Sequence, residues 1–142
     1  MAHGRKALKS LFLTAALAAT GAAAEDTAEP GISIELSAAE AAEGACKLSF
    51  VVQNTHAKDV EQAVYETVLF GAQGQVARLT LLDFQDLPAG RLRVRQFQFP
   101  HACADISRVL INGAATCTGG GLPDGACSRG LRLSSKVMEL AG

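Results

Sequence analysis

The side chains that could do chemistry are few and scattered. Arginine recurs at every second position in "RLRVRQFQFP", residues 91–100. On a strand, Arg91, Arg93 and Arg95 would share a face with Phe97 and Phe99, and Leu92, Val94, Gln96 and Gln98 would share the other. The planar guanidinium fork suits carboxylates and phosphates, so the row is a candidate contact patch for an anion or a protein. Neighbours on such a face lie roughly 6.8 Å apart. In water, unit charges at that spacing repel by only about 0.6 kcal/mol. Buried without partners, the row would be prohibitive. The expectation is therefore that the arginines face out, either as that patch or as a solvated surface that discourages edge pairing. Leu92 and Val94 then sit out of phase with Phe97 and Phe99. A β-bulge near Arg95–Gln96 would let all four reach a core, leaving Arg91, Arg93 and Gln98 in water.

Other chemistry is thinly supported. Beyond residue 24 the histidines are His56 and His101, in turns beside different strands, and both are expected in solvent. No His-x-His, Cys-x-x-Cys or Met-rich motif supplies a metal or thiol-redox site. No G-x-S-x-G elbow positions a nucleophile. "GGG" at 119–121 lacks the Lys-Ser/Thr of a phosphate loop and reads as a turn. Asp83 and Asp86 bracket a turn. Glu66 interrupts the apolar phase of Val64, Val68 and Phe70, so it lies on an outer face or pairs with an arginine such as Arg78. No catalytic residue, metal ligand or cofactor is expected.

The cysteines point to a compartment. Cys46, Cys103, Cys117 and Cys127 make an even number, which in an exported chain reads as disulfides, with three pairings open. Export is expected from the first 24 residues. Arg5, Lys6 and Lys9 precede the apolar run "LFLTAALAAT" (11–20), and Ala22-Ala23-Ala24 forms a small-residue cleavage site before Glu25. The run is far short of the roughly 20 residues of a membrane span. A helical signal peptide at 1–24 and a periplasmic or secreted protein follow. Three of the 13 basic residues leave with that segment and all 14 acidic residues stay, so ten bases face fourteen acids and the net charge becomes −4. Nucleic-acid binding, which rests on many Lys and Arg contacts to phosphate, is not expected.

The elements that must position these residues are strands. After a loose leader at 25–30, apolar runs alternate with turn signals about every 8–12 residues, the pattern of an all-β sandwich. Seven strands are expected: near 31–37, 46–54, 60–70, 76–84, 91–99, 106–112 and 129–138, in one domain over 31–142. "AAEAAEG" (38–44) could form one helical turn, stopped at Gly44. "GAQGQ" (71–75) reads as a hairpin loop and "DLPAG" (86–90) as a Pro/Gly turn.

Strands two to five carry a resemblance. "LSFVVQN" ends in V-x-N, "TVLFGAQGQV" holds Leu69 and Phe70 before a glycine turn, and "LPAGRLRVRQF" leads from an LPxG-like turn into a long strand. Together they resemble the immunoglobulin-like or fibronectin type III-like modules of bacterial exported proteins, including FxLYD-type domains. The resemblance implies a seven-stranded antiparallel immunoglobulin-like β-sandwich with an adhesive or scaffolding habit and no catalytic residues. It also implies a disulfide pairing. In such a sandwich, strands two and six run the same way in facing sheets, which brings Cys46 and Cys103 to one end. Cys117 and Cys127 then staple the last hairpin. The two bonds would contribute roughly 4 and 3 kcal/mol in the chain-entropy model.

The function expected is a non-enzymatic exported module that binds a protein or an anionic envelope component. The alternative is a small metal-binding or enzyme-like periplasmic protein that gathers His56, His101 or Glu66 into one pocket. A third reading is an accessory domain that joins an assembly through an open sheet edge.

Overall fold

The computed structural model describes residues 27–142 continuously, together with Met1, Gly4 and Gly21. The expected signal peptide lies outside the described residues apart from those three. Among the described residues, eight strands form two four-stranded sheets packed face to face, a β-sandwich. The first sheet has the order β5-β2-β1-β7 and the second β4-β3-β6-β8. The ranges are β1 Ile32–Ala42, β2 Ala45–Asn54, β3 Gln62–Gly71, β4 Val76–Asp83, β5 Leu92–Phe99, β6 Ile106–Thr118, β7 Arg132–Ser135 and β8 Glu139–Ala141. Among the described residues, no helix is long and apolar enough to cross a membrane.

Alternation places the core. Ile32, Ile34 and Leu36 of β1 and Cys46, Leu48, Phe50 and Val52 of β2 point between the sheets and are buried. Tyr65 and Leu69 of β3, Leu82 and Phe84, and Val109 and Ile111 of β6 meet them from the other sheet. Phe50, Phe84, Phe97 and Tyr65 form an edge-to-face aromatic cluster, with centroids 5.3–5.9 Å apart.

Three details differ from the sequence reading. Residues 38–42 are strand, not a helical turn. Ala39 pairs with Leu48 and Ala41 with Cys46 beyond a bulge at Leu36/Ala38, and the Glu43-Gly44 hairpin (φ 45° and 80°) closes the pair. Ladder pairing with β2 overrides the helix preference of alanine and glutamate there. The C-terminal segment is two strands rather than one. Lys136 N–H donates to the Leu36 carbonyl and Val137 N–H to Ser135 Oγ, which turns the chain from the first sheet to the second. Both resulting strands pair in parallel, β7 with β1 and β8 with β6, so the sheets are mixed and not purely antiparallel.

The third difference lies in β5. Its ladder with β2 runs without a bulge from Gln53↔Leu92 to Cys46↔Phe99. Phe97 packs against the core and Phe99 is buried, whereas Leu92 and Val94 face solvent at 62% and 60% exposure. The aromatic pair sets the phase, and the arginines follow it inward.

Candidate interaction surface

With β5 regular, Arg93 and Arg95 lie on the same face as Phe97 and Phe99. The three arginines therefore do not form an outward row. Arg91 is exposed, and Arg95 has a side chain only 14% exposed. The chain just after β4 supplies its partners. Arg95 Nε donates to the Phe84 carbonyl at 2.6 Å, and one terminal nitrogen donates to the Asp86 carbonyl at 2.9 Å and its carboxylate at 3.3 Å. Arg93 approaches the same carboxylate at 3.8 Å. A charge held this far in is tolerated because it is paired and hydrogen-bonded. The guanidinium thus ties the edge of one sheet to the chain leaving the edge of the other.

His56 is also placed differently from the expectation: it is buried, not in solvent. Its Nε2 lies 2.8 Å from the Ala126 carbonyl, so that nitrogen carries the proton and donates. Its backbone N–H donates to Asn54 Oδ1, and Asn54 Nδ2 donates to the Lys58 and Leu87 carbonyls. Asn54, the last residue of the V-x-N stretch, is fully buried and organises this end of the sandwich. Tyr65 Oη donates to the Cys127 carbonyl at 2.7 Å. Burial pushes the Tyr65 phenol above its ordinary value. Cys46 is bonded to Cys103 and Cys117 to Cys127. The loop after β6 is thus held by one disulfide and by hydrogen bonds from Tyr65 and His56. Two disulfides point to an oxidising compartment.

Glu66 lies on the outer face of β3, where Asn112 Nδ2 donates to its carboxylate. Arg78 pairs in the ladder with Leu69, not with Glu66. His101 lies at the β5–β6 connection. Among the described residues, no three His, Cys, Asp or Glu side chains gather as a metal site. An open cleft of about 220 Å³ is lined by His56, Asp124 and Arg129, and another of about 300 Å³ by Glu35, Val51 and Leu92. These are at or below the low end of the roughly 300–1,000 Å³ of small-molecule sites.

The most unusual surface is apolar and lies on β4. Leu82 and Phe84 point into the core, so Leu79 and Leu81 must point out. They are 60% and 58% exposed, and Val76 is 63% exposed. The register sets Leu79 beside Val68 and Val76 beside Phe70 on β3, with Leu110 of β6 next to Val68. One apolar area thus spans three strands. Its rim is polar: Arg108 stands over the Phe70 ring at 5.6 Å and pairs with Glu139 at 2.8 Å. A contiguous apolar patch with a polar rim is the usual form of a contact surface. Its trace in the sequence is "VARLTLLDF", where leucine occupies both phases of one strand. Only one phase can face a single core.

No family model matches the chain, and no curated protein matches it at a significant level. Among solved structures, that of IrmA from Escherichia coli is similar, with a TM-score of 0.56 at 14% identity over 76% of this chain and 92% of that one. The likeness is one of fold.

Proposed function

We propose that the protein is an exported, non-enzymatic β-sandwich module that docks another protein through the outer face of β3, β4 and β6. The observation that carries this reading is the exposed row Val76, Leu79 and Leu81 continuing into Phe70 and Leu110. Aliphatic side chains offer a partner surface to bury, not a nucleophile or a base. Export is supported by the tripartite N-terminal grammar and by two disulfides in a chain this small. Arg93 and Arg95 serve the fold in this reading, and Arg91 is an exposed surface charge.

The test places a photocrosslinking side chain at Leu81, or at Lys47 on the opposite sheet, in the producing cell. Adducts are expected from position 81 and not from 47. Folded, exported protein that gives no protein adduct at 81 sinks the reading. N-terminal sequencing of the envelope fraction is expected to start at Glu25.

A further inference from the structure

We propose that the free β4 edge bordering this face pairs with a second copy of the chain, β4 antiparallel to β4 about a two-fold axis at Thr80, which sets the two apolar faces side by side. This rests on the docking reading above and names the neighbour at the β4 border of that face. The backbone supplies the first argument. Ala63 N–H donates to the Gln85 carbonyl and Gly71 N–H to the Gln75 carbonyl, so odd-numbered residues of β3 turn their polar groups toward β4. Their ladder partners are Arg78, Thr80 and Leu82. The intervening Leu79 and Leu81 therefore aim their N–H and C=O groups away from β3, at the free edge. A partner for that edge must itself be an extended strand.

The other edges are shorter or more highly charged than this one. β5 carries Arg91, Arg93 and Arg95 at or beside its ladder, while β7 and β8 have four and three residues. Charge and shortness are the usual means of blunting an edge. β4 has eight residues; its charges are the exposed Arg78 and, at its end, Asp83, while the outward Leu79 and Leu81 carry none.

The sequence of β4 also matches itself. With the axis at Thr80, Leu79 lies opposite Leu81 of the second copy, Leu81 opposite its Leu79, and Thr80 opposite Thr80. Leucines then meet on the outer face, and threonine meets threonine in a favourable cross-strand pair. Arg78 faces Leu82 of the other copy, and the two arginines stay far apart. An axis at Leu79 would bring both Arg78 side chains to diagonal positions roughly 7–8 Å apart. An axis at Leu81 would set Leu79 against Asp83. The composition of the strand thus selects one register.

The test uses the purified, oxidised protein. Sedimentation equilibrium is expected to give twice the chain mass, and Leu79→Lys/Leu81→Lys is expected to lose the dimer while keeping the far-UV spectrum of the native sandwich. Thr80 and its mate form a non-hydrogen-bonded pair with Cα atoms about 4.5 Å apart, within disulfide reach. Thr80→Cys is therefore expected to give a covalent dimer under mild oxidation, and Gln75→Cys in the hairpin loop is not. A monomeric wild type overturns the second copy as that neighbour. If position 81 still crosslinks a different protein in cells, the docking reading stands without it. If it crosslinks nothing, both fall. A dimer that crosslinks through position 75 but not 80 also overturns the proposed pairing.

Discussion

Tyr65 and Arg95 show how a polar side chain earns a place between two sheets. The Tyr65 hydroxyl has its partner in the Cys127 carbonyl, and its ring packs on Phe84. Its folded-state pKa is raised by burial above the unfolded value of about 10. The protonated phenol is what the fold holds, so this stability is fully present below about pH 10 and is lost as pH rises through the folded value. The wild type is expected to lose stability above about pH 10 in urea titrations. Tyr65→Phe should cost about 1 kcal/mol at neutral pH and flatten that alkaline slope. Arg95→Ala leaves the Phe84 and Asp86 carbonyls without their donor and is expected to cost about 1–3 kcal/mol. Arg91→Ala, on an exposed residue, should stay within about 0.5 kcal/mol. Urea midpoints of the two arginine variants check that ordering. The phase of β5 was hidden because an inward arginine needs partners, and these lie nine and eleven residues back, across a turn. From the strand alone, a bulge looked cheaper than a buried charge.

Whole elements were more legible than their ends. The strand positions from β2 to β5 follow from alternation and turn residues, since Gly74 and "LPAG" punctuate the chain where it reverses. β1 runs past its expected end because helix propensity is weak against an available ladder. The split of the last strand was not legible. Its turn is made by Ser135 and by the Leu36 carbonyl, and contains neither glycine nor proline. The apolar face of β4 was written in the sequence as leucine in both phases, but which phase turned inward depended on Phe84 joining the aromatic cluster. The loop after β6 is an element in its own right, with no strand between Thr118 and Arg132. Its ten-residue disulfide span should be worth about 3 kcal/mol. Cys117→Ala/Cys127→Ala is expected to lower stability by that amount. Amide exchange should report faster opening across 119–131 and little change in β1 and β2, because the loop then keeps only the packing of Leu122 and Leu131 and a few single hydrogen bonds, among them those from Tyr65 and His56.

At the scale of the molecule, two sheets must stay registered face to face, and the Cys46–Cys103 bond acts there. Cys46 opens β2 in the first sheet, and Cys103 precedes β6 in the second, 57 residues later. Closing a loop of that length restricts the unfolded chain and should contribute about 4 kcal/mol. Domains of this kind have about 5–15 kcal/mol in total, so the bond is a large share of what holds the sandwich. The same dependence ties the fold to its compartment. A chain kept in a reducing cytosol lacks both bonds and the roughly 4 and 3 kcal/mol they contribute, whereas a chain in an oxidising compartment gains both. Cys46→Ala/Cys103→Ala is expected to shift the urea midpoint more than the Cys117/Cys127 pair does. Alanine is the right replacement because Cys46 is fully buried, and a serine hydroxyl there would add an unpaired polar group. Reduction of the wild type should bring its midpoint below that of either double variant kept oxidised. Equal midpoints for reduced and oxidised protein would show instead that the apolar core alone registers the sheets.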